Sequence, residues 1–246
     1  MDEVLISIVI PAYNEETLIG QTLDRVRRAI DENQNGLFSW EAIVVDNNSS
    51  DKTAEIASRN GADIVFEPVN HISRARNKGA NAARGDWLLF IDADTHPLPG
   101  LVADTLDVIR SGRHVGCSST VKVEGGPAWY RRSLEGHNLE MRLLKSGVGA
   151  YLLCSTTAFR AIGGFNTDLH ALEELDFVKR LKAYGRKAGK FYTVLHKHPV
   201  ITSGRKGNLH SRFDMSKSLT IAFWHLLTKR IVKDPGKLSY WYADRR

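Results

Sequence analysis

Two aspartates follow a strongly apolar stretch of the sequence. Residues 87–91 (WLLFI) predict a buried strand, and Asp92 and Asp94 come directly after it. Side chains two residues apart in strand geometry point the same way, so the two carboxylates would converge, which is costly without a cation or a shared proton. Hard oxygen ligands of this kind suit Mg²⁺ or Mn²⁺, completed by water and substrate phosphates. The pair predicts a divalent metal site, with two loop-capping aspartates as the alternative interpretation.

Charged residues at two predicted helix starts are further candidates. Glu173 and Glu174 begin one helix, where a carboxylate facing a ligand would act as a general base. Acids in a first turn also stabilise the helix dipole, which is a sufficient structural explanation. Arg74, Arg76 and Lys78 lie near the start of another helix, where cations and the helix N-terminus attract phosphate. Solvated helix charges are the alternative there.

Alternating strand and helix patterns predict how these groups are positioned. The predicted strands are 5–13, 41–46, 63–66, 87–91, 115–123, 150–159 and 191–195. The predicted helices are 15–30 with Asn14 as its N-cap, 51–60, 73–84, 101–109, 129–145, 173–184 and 212–232. This order predicts an α/β fold, a parallel sheet with helices on both faces.

In an open parallel sheet, ligands bind at the carboxyl ends of the strands. Polar clusters follow three predicted strands, at 11–15 (PAYNE), 46–49 (DNNS) and 92–94 (DAD), and we expect them to share one rim. No Gly-x-Gly-x-x-Gly or Gly-x-x-x-x-Gly-Lys motif follows the first strand. The dinucleotide-binding fold and the P-loop are therefore disfavoured.

The composition is that of a globular protein. The chain has 246 residues, of which 42% are hydrophobic and 25% charged, and this argues against disorder, collagen and coiled coil. Cys117 and Cys154 lie in apolar stretches and predict a reduced compartment. No stretch approaches the roughly 18 apolar residues of a transmembrane helix. Asp2 and Glu3 stand where a signal peptide carries positive charge, so we expect a cytoplasmic protein.

Charge is divided unevenly along the chain. Residues 1–120 carry 11 basic and 18 acidic residues, a net charge of −7, whereas residues 121–246 carry 23 and 10, a net charge of +13. A basic second half predicts an anionic partner: phosphate, nucleic acid or an acidic membrane surface. A solvated basic face is the alternative interpretation.

Taken together, the motifs resemble those of the family 2 glycosyltransferases, which have the GT-A fold. The resemblance covers about residues 5–190. The matching motifs are SIVIPAYNEE (7–16), VVDNNSSDKT (44–53), RNKG (76–79), ARGDWLLFIDAD (83–94), FRAIGGF (159–165) and EELDFVKRL (173–181). Each motif is weak alone, but together, in order and at the usual spacing, they make a strong signal.

The resemblance implies a Rossmann-like, mostly parallel central sheet with a smaller acceptor-side half. We expect a single domain over 1–246, with a nucleotide-sugar-binding half at 1–110, an acceptor and catalytic half at 111–211, and an amphipathic helix and tail at 212–246. The implied activity is that of a metal-dependent inverting glycosyltransferase. It would move a sugar from a nucleotide-diphosphate donor to a hydroxyl of a sugar or lipid-linked acceptor, as in polysaccharide or glycolipid synthesis.

The resemblance also implies roles for single residues. Asp94 and Asp92 form the family's Asp-x-Asp motif and would hold Mn²⁺ or Mg²⁺, and Glu174 would be the base, with Glu173 second. The implied donor-binding residues are Pro11, Ala12, Tyr13, Glu15, Asp46, Asn47, Asp92 and one of Arg74 and Arg76.

Two positions depart from the family pattern. Asn47 replaces a usual second aspartate, which leaves the preference for uracil open, since an amide donates as well as accepts. Glu174 replaces the aspartate of the usual Glu-Asp pair and reaches one methylene further.

The late part of the sequence carries four weaker signals. Residues 202–207, with Arg205, would close over the diphosphate as a lid or form an ordinary loop. His196 and His198 are predicted to point the same way, as a third metal ligand or as strand histidines. Aromatic and basic residues at 129–132 would serve an acceptor site or the core.

The fourth signal is the apolar stretch 218–227 (SLTIAFWHLL), which is flanked by Lys217, Lys229, Arg230 and Lys233. It predicts either an interfacial helix on an anionic membrane, which would place the protein on the inner face of the membrane, or a helix packed on its own domain.

Three other functions compete with this prediction. A nucleotidyltransferase also places aspartates and Mg²⁺ on an α/β sheet, but would have a Gly- and Lys/Arg-rich loop where residues 11–15 stand. A catalytically inactive module of the same fold need not keep Asp92, Asp94 and a carboxylate at 174. A nucleic-acid binder is supported by the basic second half alone.

Overall fold

The computed structural model describes residues 3–33, 36–144 and 150–209. The helix predicted over 212–232 and the interfacial stretch 218–227 lie outside the described residues. Among the described helices, none is long and apolar enough to cross a membrane.

Eight strands form one sheet within the described residues, and their spatial order is β3-β2-β1-β4-β7-β6-β8-β5. The strands are β1 (Val4–Ala12), β2 (Phe38–Asp46), β3 (Asp63–Phe66), β4 (Trp87–Ile91), β5 (Thr95–His96), β6 (His114–Glu124), β7 (Tyr151–Ser155) and β8 (Phe191–Ser203). The first four strands of that order run parallel, β7 is antiparallel to both of its neighbours, and β6 and β8 are parallel. The predicted α/β class with a mostly parallel sheet is confirmed.

Helices cover both faces of the sheet. They are α1 (Ile19–Asp31), α2 (Thr53–Arg59), α3 (Ile72–Ala82), α4 (Pro99–Arg110), α5 (Ala128–Leu144), α6 (Thr156–Ala161), α7 (Glu173–Lys187) and α8 (Arg205–Leu209). Residues of α1, α2 and α4 pack in one apolar cluster, and residues of α3, α6 and α7 pack in a second. The sheet separates the two clusters, because successive residues of a strand point to opposite faces.

Hydrogen bonds explain three boundaries at which the prediction was wrong. Asn14 does not cap α1, which begins at Ile19, because its side-chain oxygen accepts from the Ser50 backbone N–H instead (2.9 Å). The strand predicted over 150–159 ends at Ser155, whose hydroxyl caps α6 by accepting from Ala158 N–H. The last predicted strand extends from residue 195 to Ser203, because it pairs with β6 along its length.

Helix α3, which carries Arg74 and Arg76, lies very close to the sheet. The contact is at Gly79, where an added Cβ would lie 2.7 Å from Val45 Cγ2 and closer still to Val9. Only a residue without a side chain lets the helix backbone approach β1 and β2 this closely. The position of α3, and of the arginines on it, therefore depends on Gly79.

We expect Gly79→Ala to lower the free energy of unfolding by about 1–3 kcal/mol, because the methyl group overpacks the contact between helix and sheet. The matched control is Gly136→Ala on α5, where an added Cβ meets no atom within 4 Å. That change should stabilise the protein by about 0.5–1 kcal/mol through helix propensity. Urea unfolding of both variants measures the difference, and equal effects would contradict the packing argument.

Candidate active site

The carboxyl ends of β1 and β2 lie side by side at one edge of the sheet. Ala12 pairs with Asp46, and the Asn47 N–H donates to Ala12 O (2.8 Å). The chain leaves both strands there, so Pro11, Ala12, Tyr13 and Asp46 share one rim, as the sequence predicted.

Asn14 joins the two loops that leave this rim. It has a positive φ of 53°, a conformation that asparagine tolerates better than most residues. Its side-chain oxygen accepts from Ser50 N–H, and its own N–H donates to Ser49 Oγ (3.1 Å). Asp46 Oδ1 accepts from Ser49 N–H (2.9 Å), which closes the loop after β2. Sequence reasoning missed this role, because capping and turn-forming asparagines have the same local pattern.

The Asn47 side chain is buried and is used by the backbone of the next loop. The Asn47 amide is oriented so that both its nitrogen and its oxygen form hydrogen bonds. The nitrogen donates to Val69 O (2.6 Å), and the oxygen accepts from the His71 N–H (3.1 Å). Asn47 thereby fixes the segment that leads into α3. A nucleotide base that bound to the Asn47 side chain, as the sequence predicts, would have to compete with these two hydrogen bonds.

Arg76 is the centre of the site. Its side chain is 2% exposed, and its guanidinium donates through Nη1 to Glu173 Oε1 (3.0 Å) and Glu174 Oε1 (3.2 Å) and through Nη2 to Asp92 Oδ1 (3.2 Å). The Phe165 ring lies 5.2 Å from the guanidinium. Burial opposes the charge, but the carboxylates of Glu174, Asp92 and Glu173 raise the pKa of Arg76 above its ordinary value, so it stays a cation.

This position bears on the prediction that Arg74 or Arg76 would approach a nucleotide. The guanidinium faces inward, and its Nη atoms are used by carboxylates from α7 and from the end of β4. Arg74, on the same helix, is half-exposed and pairs with Glu67 (3.0 Å). Residues two apart on a helix point in directions about 200° apart, which separates the two arginines.

The two glutamates of α7 differ in environment. Glu173 has 5% of its side chain exposed and Glu174 has 19%. Burial and the neighbouring Glu174 carboxylate raise the pKa of Glu173 to about 8, against the opposing effect of Arg76. The raised pKa favours a protonated Glu173, which lowers the negative charge that surrounds the Arg76 cation. Glu174 is the more accessible carboxylate of the pair.

Asp92 and Asp94 are both partly exposed, whereas Ala93 and Thr95 are buried. The Thr95 N–H donates to Asp92 O (3.0 Å), so the two aspartates lie in a turn and not in the strand geometry on which the prediction depended. Asp94 Oδ1 lies 3.1 Å from Thr95 Oγ1 and 3.4 Å from Thr202 Oγ1. The Ser203 N–H also donates to Asp94 O, which ties the end of β8 to the aspartates. In the sequence, Thr202 belongs to the stretch 202–207 that predicts a lid or an ordinary loop, with no role of its own.

Glu15 and Arg205, both predicted to bind the donor, pair with each other. Arg205 Nη2 lies 2.7 Å from Glu15 Oε1, across 190 residues of sequence. Arg205 begins α8, which directly follows β8. The pair therefore places the end of β8 against the loop after β1, and both charged groups lie at the rim.

The two late histidines do not share a face. His198 Nδ1 lies 2.9 Å from Asp104 Oδ2 on α4, whereas His196 lines a groove under α5. The pairing of β8 with β6 is irregular between Leu195 and Val200, which breaks the alternation on which the prediction depended. Neither histidine is placed as a third ligand beside Asp92 and Asp94.

Two carboxylates at this rim fit a divalent cation that binds together with its substrate. Across the described ranges, no cluster of three or more His, Cys, Asp or Glu side chains is placed to hold a metal ion. Mg²⁺ is commonly held by one or two carboxylates, with water and substrate phosphates as the other ligands. Asp92 and Asp94 supply that donor set, and Asp92 has 29% of its side chain exposed.

Residues 7–165 match the sequence model of a protein family, glycosyl transferase family 2. An uncharacterised glycosyltransferase of Haemophilus influenzae is 26% identical over 187 residues, which cover 72% of this chain and 62% of the relative. The chain thus spans about three fifths of that relative's length.

Two solved structures share the fold. A mannosyltransferase from Pyrobaculum calidifontis in complex with GDP-Man and Mn²⁺ has a TM-score of 0.64 at 18% identity, covering all of this chain and 70% of that one. Glucosyl-3-phosphoglycerate synthase from Mycobacterium tuberculosis, in complex with Mn²⁺, UDP and phosphoglyceric acid, has a TM-score of 0.61 at 20% identity, covering 92% and 78%.

We expect Arg76→Met to lower the free energy of unfolding by about 3–5 kcal/mol, because it removes the one buried cation that Glu173, Glu174 and Asp92 share. The control is Arg59→Met, since Arg59 forms an exposed pair with Glu55 on α2. Losing an exposed pair should cost less than about 1 kcal/mol. Denaturant titration of both variants measures this, and a similarly small loss for Arg76 would show that the cluster is not held by its charge.

The raised pKa of Glu173 predicts a pH dependence of stability. The folded state holds this proton more tightly than the unfolded chain, so the resulting stabilisation is complete below pH 4.5 and is lost as the pH rises to about 8. Glu173→Gln mimics the protonated acid. Its melting temperature should therefore rise relative to that of the unmodified protein between these pH values. Exposed Glu32→Gln is the control, and parallel melting curves for Glu173→Gln would refute the shift.

Proposed function

Since the chain belongs to the glycosyl transferase family 2, we propose that it transfers a sugar from a nucleotide-diphosphate donor to an acceptor hydroxyl, with a divalent metal and inversion at the anomeric carbon. The observation that carries the proposal is the Arg76 cluster. The one buried guanidinium forms ion pairs both with Asp92, a proposed metal ligand, and with Glu174, the proposed base. The Arg76 guanidinium therefore positions both a carboxylate that would activate the donor and a carboxylate that would remove the proton.

The donor would lie on the rim formed by the ends of β1 and β2. Pro11, Ala12 and Tyr13 line it, and Asp46 reaches it with a carboxylate fixed by the Ser49 N–H. The two similar structures contain GDP-Man and UDP, which supports a nucleotide donor for this fold. Arg205 and Glu15 would face the diphosphate end, where an anion would compete with Glu15 for the guanidinium.

Asp92 and Asp94 would hold Mn²⁺ or Mg²⁺. When bound, such a cation stabilises the negative charge that develops on the departing nucleotide diphosphate. Arg76 fixes the direction of Asp92, while the hydroxyls of Thr95 and Thr202 fix Asp94. These contacts hold the two carboxylates before any substrate binds.

Glu174 would be the general base. The acceptor oxygen attacks the anomeric carbon and forms the new glycosidic bond, while the bond from that carbon to the diphosphate oxygen breaks and its electrons leave with the nucleotide diphosphate. The hydroxyl proton passes to the Glu174 carboxylate. A single displacement inverts the configuration. Glu173, buried and protonated, would position Glu174 rather than contact the acceptor.

Metal-dependent donor binding tests the first part. We expect one of UDP, GDP, CDP and dTDP to raise the melting temperature only with Mn²⁺. A ligand at about 100 times its dissociation constant adds ~2.7 kcal/mol of stability. Asp94→Ala should lose this shift and Asp107→Ala, an exposed change on α4, should keep it. The absence of a shift with every nucleotide would favour an inactive module of the same fold.

In the same series Glu174→Gln should keep the nucleotide shift but lose turnover, measured as release of nucleotide diphosphate from the donor that binds. A positioned base contributes about 10²–10⁴-fold. Turnover equal to that of the unmodified protein would remove Glu174 from the role of base, and Glu173→Gln would then be tested in its place.

A further inference from the structure

A buried side chain on α1 is hydrogen-bonded to the loop that carries the two aspartates. Thr22 lies near the start of α1 and is 4% exposed. Its hydroxyl donates to the backbone oxygen of Ala93 (2.7 Å), the residue between Asp92 and Asp94, across 71 residues of sequence. The proposed reaction as described above does not use Thr22.

The acceptor that Thr22 uses lies outside its own helix. A helical threonine can instead donate to a backbone oxygen one turn earlier. Thr105 on α4 does so, since it is 3% exposed and its hydroxyl donates to Leu101 O (2.7 Å). The two threonines are equally buried, but only the Thr22 hydroxyl connects its helix to the aspartates.

Three successive backbone oxygens of the aspartate loop each accept a hydrogen bond. Asp92 O accepts from the Thr95 N–H within the turn (3.0 Å), and Asp94 O accepts from a backbone N–H at the end of β8 (3.1 Å). Ala93 O accepts from the Thr22 hydroxyl. Of these three bonds, the one at Ala93 depends on a side chain, so a single substitution can remove it.

The aspartate loop needs this support because its two carboxylates carry the same charge. Like charges close together repel each other. A buried backbone oxygen that loses its donor is also unfavourable, which favours rotation of its peptide towards another donor. Rotation of the peptide between Ala93 and Asp94 would turn Asp94 away from Asp92. The Thr22 hydroxyl therefore favours the arrangement in which both carboxylates face the same ligand.

Helix α1 also continues directly from the loop after β1. The Ile19 N–H donates to Glu15 O (2.9 Å), so the first turn of the helix is bonded to the segment proposed to bind the donor. Thr22 follows three residues later. One helix thereby connects the proposed donor-binding loop with the proposed metal ligands.

We propose that Thr22 is a positioning residue, whose hydroxyl holds Asp92 and Asp94 in the arrangement that binds a divalent cation together with the nucleotide diphosphate. The inference rests on the proposed function, because it concerns the same metal site. Thr22 would contact neither the cation nor the substrate. It acts through Ala93 O, in the way that hydrogen bonds beyond the ligands orient the ligands of other metal sites.

The test measures the affinity of the full chain for Mn²⁺ by electron paramagnetic resonance, in which free Mn²⁺ gives a signal that bound Mn²⁺ loses. The titrations contain whichever of UDP, GDP, CDP and dTDP gives the metal-dependent melting shift. Thr22→Val replaces the hydroxyl by a methyl group. We expect it to raise the Mn²⁺ dissociation constant by about tenfold or more, as the loss of an outer hydrogen bond does at other metal sites. Thr22→Ser keeps the hydroxyl and should stay within about twofold.

Thr105→Val is the matched control. It makes the same change at an equally buried helical threonine, whose partners Leu101 O and Tyr151 Oη lie outside the aspartate loop. Both valine variants should lower the melting temperature, because each loses a buried hydrogen bond. Only Thr22→Val should weaken Mn²⁺ binding. By mass action, about ten times more Mn²⁺ should restore its nucleotide-dependent melting shift.

An unchanged Mn²⁺ affinity in Thr22→Val would overturn the proposal, as would equal weakening by Thr105→Val or by Thr22→Ser. Where Thr22→Val does not fold, Thr22→Ala takes its place, since it also lacks the hydroxyl and favours the helix. An unmodified protein that binds no Mn²⁺ with any of the nucleotides would refute the proposed function, and this inference with it. Normal binding by Thr22→Val refutes the inference alone, so the two failures can be told apart.

Discussion

The buried Arg76 guanidinium is the interaction on which the site depends. A buried charge is tolerated only when it is paired and hydrogen-bonded, and here the partners come from α7 and from the end of β4. Three carboxylates around one cation would carry excess negative charge. Burial and the neighbouring Glu174 carboxylate raise the pKa of Glu173 against the effect of Arg76, and a proton on Glu173 removes part of the excess negative charge.

Packing around Arg76 serves the same arrangement. Asn77 donates to Phe165 O and accepts from the Phe165 N–H, both at 2.8 Å, and so holds the turn before α7 against α3. Phe165 in turn stacks on Phe177, with ring centroids 4.2 Å apart, and lies beside the guanidinium. The adjacent residues Arg76 and Asn77 therefore fix both the charge and the backbone that bring α7 to the rim.

The uneven charge of the chain is reflected in the proposed site. The acidic first half contributes the rim of β1, β2 and β4 and the two aspartates, where the proposed reaction needs a metal. The basic second half contributes Arg205, which the proposed reaction would use for the anionic diphosphate. The sequence showed this asymmetry, but only the structure placed Arg205 beside Glu15.

The sequence by itself determined the order of the longer elements from β1 to α7, the ends of β2 and β4, the end of β1 to within one residue, and the polar residues at those ends, because apolar periodicity and turn signals are local. The short elements β5, α6 and α8 were not predicted. Tertiary structure decided which charged groups meet. Arg76 rather than Arg74 faces inward, since α3 sits on Gly79 and presents only one of them to α7. Glu15 pairs with Arg205, and His196 and His198 face different neighbours. Both results depend on strand pairing between segments that are distant in sequence, which local sequence patterns do not predict.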